Sequence, residues 1–140
     1  MSLYLDTNII VALLTPEPLS ERAVDFLQNN PERLIVSDFA AAEFVSAIAR
    51  RVRTRETTIE DARRDLADFE IWVTRSTERT DLDPGDIGAA TAYLRRLDLT
   101  LVTPDALHIA IIRRLDATLV TFDRGMAAAA RALGMAVAMP

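Results

Sequence analysis

The segment LYLDTNIIVALL, residues 3–14, decides the fold of this chain. It opens with a short, continuously apolar run that ends at Asp6, and Thr7 and Asn8 then introduce a second apolar stretch long enough for a short helix. Apolar runs without alternating polar residues are typical of strands buried on both faces, as in parallel sheets. The segment therefore predicts a buried strand, Leu3–Leu5, with an aspartate at its carboxyl end.

The same alternation of strand and helix continues along the chain. Further strands are predicted at Leu34–Val36, Thr118–Thr121 and Met135–Ala138, and the stretches 74–82 and 99–101 are candidates for short extended segments. Helical periodicity fills the sequence between them. Because this alternation favours a parallel sheet covered by helices on both faces, we expect a three-layer α/β domain.

Several predicted helices carry capping signals at their starts. Thr57 with Glu60 has the spacing of a capping box. Asp83 and Thr103 are both cap residues followed by a proline, which suits the first helical position. The helix after Asp83 is predicted to present one apolar face, made by Ile87, Ala90, Leu94 and Leu97.

Composition limits the chemistry that the chain can perform. With 140 residues, it fits one domain spanning residues 1–140. It contains no cysteine, which excludes disulfides, a thiolate nucleophile and a cysteine zinc site. His108 is the only histidine, which excludes a multi-histidine metal site. All 16 basic residues are arginines, which excludes a Walker A lysine and Schiff-base chemistry.

The charge and hydropathy pattern predict a cytoplasmic protein without a membrane partner. The formal net charge of −5 opposes a phosphate-rich partner unless it is compensated at the site of contact. The N-terminus does not resemble a signal peptide, because Asp6 interrupts its apolar start. No apolar run approaches the ~18 residues that are needed to span a bilayer.

Four acidic residues occupy special positions in this scheme. Asp6 and Asp123 follow strands, Asp105 opens a helix, and Glu43 lies one to two turns into the helix after the second strand. Each has a local explanation, because aspartates are common helix caps and Glu43 could pair with Arg50. However, ligands of open parallel sheets bind beyond the carboxyl ends of the strands, and several independent acids at that edge favour a shared site.

Convergence of these four carboxylates would require protons or a cation. Two carboxylates about 5 Å apart repel each other by roughly 3 kcal/mol at an effective dielectric constant of about 20. Oxygen ligands without nearby histidine or cysteine select hard ions, Mg²⁺ or Mn²⁺. An acidic site that holds such ions suits phosphodiester cleavage, for which no protein nucleophile is needed.

Four local sequences together resemble one known family. They are Leu5-Asp6-Thr7-Asn8, Glu43 in the helix after Val36-Ser37, Pro104-Asp105-Ala106-Leu107-His108-Ile109-Ala110, and Leu119-Val120-Thr121-Phe122-Asp123-Arg124. In this order they look like a PIN domain, and most closely like the VapC-type ribonuclease toxin of a bacterial toxin–antitoxin pair. The resemblance covers essentially the whole chain.

The resemblance implies a fold, an activity and a set of partners. The fold would be a PIN-like α/β/α domain with a five-stranded parallel sheet. The activity would be that of an endoribonuclease dependent on Mg²⁺ or Mn²⁺, with RNA as the substrate. The partners would be a second copy of the chain, giving a homodimer, and a cognate antitoxin that covers the catalytic groove.

The resemblance also implies roles for individual residues. The family's four acidic positions, which are catalytic and hold the metal, match Asp6, Glu43, Asp105 and Asp123. Of these, Asp6 and Asp105 would be the most direct metal ligands. Positions that support the site through hydrogen bonds match Asn8 and Thr121. Arg124-Gly125 stands where relatives often carry a further acid or an aromatic residue, so the resemblance supplies no fifth carboxylate here.

The basic run from Arg50 to Arg55 and the single histidine each admit two interpretations. The run can be a solvated helix end, or Arg50 and Arg53 can bind RNA phosphates beside the cleaved bond. His108 can be a packed, hydrogen-bonded helix residue or a group that contacts a phosphate or a metal-bound water. Apolar helix faces are candidate partner surfaces, namely Leu13/Leu14 and Phe69/Trp72.

Two other classes of function are compatible with parts of the pattern. A PIN-like module could bind RNA or a protein partner without cutting it. Acids at strand ends also serve phosphotransfer in receiver-like and phosphatase-like domains. The receiver type needs a lysine near a late strand, and this chain has none. The phosphatase type needs an aspartate at the position of Asn8.

Overall fold

A five-stranded, all-parallel sheet forms the centre of the computed structural model, which describes residues 1–140. The strands are β1 (Ser2–Leu5), β2 (Arg33–Ser37), β3 (Glu78–Thr80), β4 (Thr118–Val120) and β5 (Val137–Ala138). Their order in the sheet is β3-β2-β1-β4-β5, and every neighbouring pair is parallel. Because β1 lies between β2 and β4, the carboxyl ends of these strands meet at one edge.

Seven helices cover the two faces of the sheet. They are α1 (Thr7–Leu14), α2 (Ser20–Asn29), α3 (Asp38–Arg53), α4 (Ile59–Ser76), α5 (Pro84–Leu94), α6 (Thr103–Leu115) and α7 (Arg124–Ala132). None of them combines the length and the apolarity that a membrane span requires.

Alternate residues of β1 point into two separate cores. Leu3 and Leu5 pack with residues of α1, α3 and α4, whereas Tyr4 packs with residues of α6 and α7. This separation follows from the geometry of a strand, whose successive side chains point to opposite faces. The predicted three-layer α/β/α architecture with a five-stranded parallel sheet is therefore confirmed.

Two predicted helix starts differ from the structure by one residue. Thr58, not Thr57, caps α4, and its hydroxyl accepts a hydrogen bond from the backbone N–H of Asp61. The helix α6 begins at Thr103 itself, with Val102 as a cap residue that contributes no side-chain hydrogen bond. The predicted capping box at Thr57 and the predicted cap at Thr103 are therefore wrong, although both helices are present.

The segment after α5 also differs from the prediction. The helix α5 ends at Leu94, and Leu97 lies in a turn with 94% of its surface exposed, so it belongs to no apolar face. Residues 99–101 form no strand, whereas the stretch 74–82 does contain one, β3. Phe69 is buried and stacks on Phe44 with ring centroids 4.5 Å apart, so it belongs to the core rather than to a partner surface.

Candidate functional site

A cleft of about 410 Å³ opens beside the carboxyl ends of β1 and β4. Its lining includes all four acids singled out in the sequence, and we call these residues the acidic cluster: Asp6, Glu43, Asp105 and Asp123. None of the four carboxylates forms a salt bridge with an arginine. The structure thus brings four distant chain segments together around negative charge that no arginine neutralises.

Asp6 is the most buried member of the acidic cluster, with 5% of its surface exposed. It caps α1, and its Oδ1 accepts a hydrogen bond from the backbone N–H of Thr7 at 2.7 Å. Its Oδ2 accepts from the hydroxyl of Thr121 at 2.6 Å. Burial raises the pKa of Asp6, although His108 and the hydrogen bonds favour the charged form. A cation in the cleft would offset this cost of burial.

Thr121 and Asn8, the two predicted supporting residues, join the ends of β1 and β4 through side-chain hydrogen bonds. Thr121 donates its single hydroxyl proton to Asp6 and accepts from Asn8 Nδ2 at 3.2 Å and from the backbone N–H of Asp123 at 2.9 Å. Asn8 Oδ1 accepts from the backbone N–H of Phe122 at 3.1 Å. This network fixes the orientation of the Asp6 carboxylate.

Glu43 reaches the cleft from the second turn of α3, and 31% of its side chain is exposed. Its Oε1 accepts a hydrogen bond from the hydroxyl of Thr7 at 2.9 Å and lies 2.5 Å from His108 Nε2. Burial raises the pKa of Glu43, but the contacts with His108 and Thr7 outweigh burial and bring that pKa below its ordinary value. Glu43 is therefore held as a carboxylate.

Asp105 and Asp123 complete the acidic cluster. Asp105 lies in the first turn of α6, and its carboxylate accepts no hydrogen bond within the protein. Burial, together with the charges of Asp123 and Asp6, raises the pKa of Asp105 to about 6. Asp123 is exposed and caps α7, where its Oδ1 accepts from the backbone N–H of Met126 at 2.9 Å. Asp123 therefore caps α7 and lines the cleft at the same time.

His108 connects the acidic cluster to the core. It is 2% exposed, its Nδ1 lies 2.7 Å from Tyr4 Oη, and its Nε2 lies 3.6 Å from Asp6 Oδ1 as well as 2.5 Å from Glu43. One donor atom from each of Asp6, Glu43 and His108 lies within 4.8 Å of the other two, which is close enough to share one ion. His108 is therefore both a packed, hydrogen-bonded residue and a neighbour of the site.

Two residues that contact the site were not identified from the sequence. Thr7 supports both Asp6 and Glu43, and Tyr4 contacts His108 from the buried strand β1. The available signal for Tyr4 was its hydroxyl between two buried leucines, Leu3 and Leu5, because a buried tyrosine hydroxyl usually finds a partner.

The arginines at the end of α3 divide between two surfaces. Arg50 is exposed and lines the cleft. Arg51 also lines the cleft, but its guanidinium pairs with Glu17 and donates to Thr15. Arg53 instead lines a separate apolar groove between α3 and α4. The structure therefore brings Arg50, but not Arg53, to the acidic cluster.

The fold and the acidic cleft define a class of protein. The family model described as PIN domain matches residues 3–132, which is most of the chain. The chain therefore belongs to the PIN domain family, and the resemblance found in its sequence is confirmed. No curated protein matches the chain.

Solved structures that share this fold include toxins and their complexes. VapC20 of Mycobacterium tuberculosis, described as a sarcin–ricin loop cleaving toxin, has a TM-score of 0.74 at 18% identity, covering 91% of this chain and 94% of that one. VapBC2 of Rickettsia felis, bound to a DNA fragment from its promoter, has a TM-score of 0.72 at 19% identity, covering 99% and 98%. A toxin–antitoxin complex from Klebsiella pneumoniae has a TM-score of 0.65 at 16% identity, covering 91% of both chains. At these identities the likeness establishes the shared fold.

Proposed function

We propose that this chain is a metal-dependent endoribonuclease of the VapC type, the toxin of a toxin–antitoxin pair, and that residues 1–140 form one PIN-like domain. The observation that carries the proposal is the acidic cluster, four carboxylates in one open cleft with no arginine partner. Repulsion among such carboxylates favours proton uptake or a bound cation. The pKa of Asp105, raised to about 6 by burial and by the neighbouring acids, supports this interpretation.

The donor set of the cluster fits Mg²⁺ or Mn²⁺. Asp6 and Asp105 would be the most direct ligands, and Glu43 and Asp123 would complete the site. All four offer carboxylate oxygens, which are the donors that hard divalent ions prefer. When bound, the cation acts as a Lewis acid for hydrolysis of the phosphodiester bond.

The chain's own residues bind and orient the groups around this cation. Thr7 and Thr121 hold the two oxygens of Asp6 in a fixed direction, and Thr7 also holds Glu43. Arg50 stands at the same cleft, where a guanidinium can bind a phosphate of the substrate. No residue of the cleft is a thiol, and the reaction needs no covalent intermediate with the protein.

The solved relatives support the substrate and partners that we propose. One of them is described as a sarcin–ricin loop cleaving toxin, which supports RNA as the substrate. Another is described as a toxin–antitoxin complex, which supports a cognate antitoxin as a partner, and we propose that this antitoxin covers the cleft. We further propose that the chain forms a homodimer and acts in the cytoplasm.

Metal removal tests the proposed activity directly. We expect the purified chain to cleave total RNA in Mg²⁺, to lose that activity in excess EDTA, and to regain it when Mg²⁺ is restored. Sequencing the new RNA ends identifies the bond that is cut. Asp105→Asn, purified in parallel, controls for contaminating ribonuclease. Equal cleavage in all samples would mean contamination, and RNA binding without cleavage of any RNA would favour the non-cleaving module instead.

Arg50 and Arg53 provide a matched pair for testing RNA binding, because both are exposed arginines of the same helix. We expect Arg50→Ala to weaken RNA binding and to flatten its salt dependence by about 0.7 in the slope of log K against log salt, the value for one contact with single-stranded phosphate. Arg53→Ala should leave both quantities unchanged. Binding is measured in EDTA by fluorescence anisotropy over a salt series. Equal slopes for the two variants would show that Arg50 does not contact a phosphate of the RNA.

A further inference from the structure

A continuous series of hydrogen bonds, buried except at its last member, runs from the end of β2 to the acidic cluster. Ser37 Oγ lies 2.7 Å from Tyr4 Oη, Tyr4 Oη lies 2.7 Å from His108 Nδ1, and His108 Nε2 lies 2.5 Å from Glu43 Oε1. Ser37 and Tyr4 are fully buried, and His108 is 2% exposed, so water does not compete for these groups. The last acceptor in this series of hydrogen bonds, Glu43, is a proposed metal ligand.

The direction of the hydrogen bonds follows from Ser37. Its Oγ caps α3 and accepts from the backbone N–H of Ala40 at 2.9 Å, which leaves its own hydroxyl proton in need of an acceptor. Its hydroxyl proton has one side-chain partner, Tyr4, and must therefore be donated to Tyr4 Oη. Tyr4 then donates its own proton to His108 Nδ1. The reverse direction would leave the buried proton of Ser37 without an acceptor, at the cost of an unmade hydrogen bond.

This direction determines the tautomer of His108. Because Nδ1 accepts from Tyr4, the ring proton of the neutral imidazole resides on Nε2 and is donated to Glu43 Oε1. Nε2 is also the ring nitrogen that faces Asp6. The nitrogen directed at the cleft therefore has no lone pair to offer to a metal ion.

We propose that His108 is a positioning residue that holds Glu43 through Nε2–H and does not ligate the cation. The inference rests on the proposed function only in assuming that a cation occupies the cleft. Glu43 Oε1 accepts from both His108 and Thr7, whereas Oε2 has no hydrogen-bond partner and stays free to face the ion. The hydrogen bonds from Ser37 through Tyr4 to His108, which we call the hydrogen-bond relay, thereby leave only oxygen atoms as metal ligands in the site. Such a ligand set favours Mg²⁺ or Mn²⁺ over Zn²⁺.

Nitrogen NMR of the imidazole tests the tautomer without any activity measurement. His108 is the only histidine, so the ¹⁵N signals of a labelled sample need no assignment. At about pH 8, we expect a pyrrole-like shift for Nε2 and a pyridine-like shift for Nδ1. Both shifts should keep this character when Mg²⁺ is added. The opposite tautomer, a doubly protonated ring, or a metal-bound shift at Nε2 would overturn the proposal.

Two substitutions separate positioning from simple packing. The amide nitrogen of His108→Gln replaces Nε2 and can still donate to Glu43, whereas the shorter His108→Asn replaces Nδ1 and cannot reach it. We expect His108→Asn to weaken Mg²⁺ binding and cleavage by about 10–100-fold, as for other residues that orient metal ligands, and His108→Gln to restore most of both. If His108→Asn and His108→Gln unfold at similar temperatures and lose Mg²⁺ binding and cleavage equally, the result would contradict a role of His108 in positioning Glu43.

The failure of this proposal can be told apart from failure of the proposed function. If the Nε2–H tautomer is observed but the chain binds no Mg²⁺ and cuts no RNA, the proposed function is wrong and the hydrogen-bond relay stands. If RNA is cut in a Mg²⁺-dependent manner while Nε2 carries no proton, the proposed function stands and the role assigned to His108 is wrong.

Discussion

Asp105→Asn is expected to abolish RNA cleavage and, at the same time, to raise the thermal stability of the metal-free protein. Burial and the charges of Asp123 and Asp6 raise the pKa of Asp105 to about 6, so its charged form is costly at neutral pH. The amide removes this charge without breaking a hydrogen bond, because the carboxylate makes none. An amide is also a poorer ligand for a hard divalent cation than a carboxylate. Activity and stability should therefore change in opposite directions.

The expected magnitudes differ for the two quantities. Cleavage should fall by about 100-fold or more, because a divalent ion contributes several kcal/mol at the transition state and each ~1.4 kcal/mol is a factor of ten in rate. In EDTA, the unfolding temperature should rise by about 3 °C, which corresponds to roughly 1 kcal/mol after discounting for solvent screening at this half-buried position. Mg²⁺ should raise the unfolding temperature of the wild type more than that of the variant.

The difference in unfolding temperature between Asp105→Asn and the wild type should increase with pH and should not reverse. The pKa of Asp105 is raised from 3.8 to about 6, so the native state binds this proton more tightly than the unfolded state does. The wild type and Asp105→Asn should therefore unfold at the same temperature well below pH 3.8, where Asp105 is protonated in both the native and the unfolded protein. The variant should become progressively more stable than the wild type as the pH rises from 3.8 to about 6, and the difference should stay constant above that pH.

Calorimetry in EDTA over a pH series, together with the cleavage assay in Mg²⁺, checks these expectations. Asp25→Asn is the matched control, because it removes an exposed carboxylate on α2 outside the cleft. That variant should retain full cleavage and the wild-type response to Mg²⁺. Full cleavage by Asp105→Asn would show that Asp105 is not a required metal ligand.

The acidic cluster could be predicted because its positions follow from the order of strands and helices. Asp6 directly follows β1, Asp123 lies just beyond the end of β4, the neighbouring strand, and Asp105 is in the first turn of α6. Parallel strands carry such residues to one edge. This rule does not predict the position of Glu43, because Glu43 lies within a helix. Only the small residues around it on α3 distinguished it from a solvent-exposed acid.

The contacts inside the site could not be predicted, because they depend on packing between distant segments. Tyr4 and His108 are 104 residues apart, and no periodicity indicates that their side chains meet. Arg50 and Arg53 look equivalent in the sequence. However, three residues along a helix rotate the side chain by about 60°, and this rotation turns Arg53 away from the cleft and towards α4.

Arg114→Ala is expected to cause the largest loss of stability of any single arginine substitution. Asp86 on α5 is 2% exposed, and its two oxygens accept from Arg114 Nε at 2.9 Å and Nη2 at 2.8 Å. Burial raises the pKa of Asp86, but the hydrogen bonds from Arg114 outweigh burial and bring that pKa below its ordinary value. Removing the guanidinium leaves a buried carboxylate without its partner, which costs about 3 kcal/mol.

Two further variants establish whether this loss comes from the ion pair. Arg113→Ala removes the neighbouring exposed arginine and should change stability by less than about 0.5 kcal/mol. Adding Asp86→Asn to Arg114→Ala removes the unpaired charge and should recover part of the lost stability. Urea denaturation at neutral pH measures all three, and a loss in Arg114→Ala no larger than in Arg113→Ala would contradict the argument. Because Asp105 and His108 lie nearer the opposite end of α6, Arg114→Ala should still cleave RNA at temperatures where it remains folded.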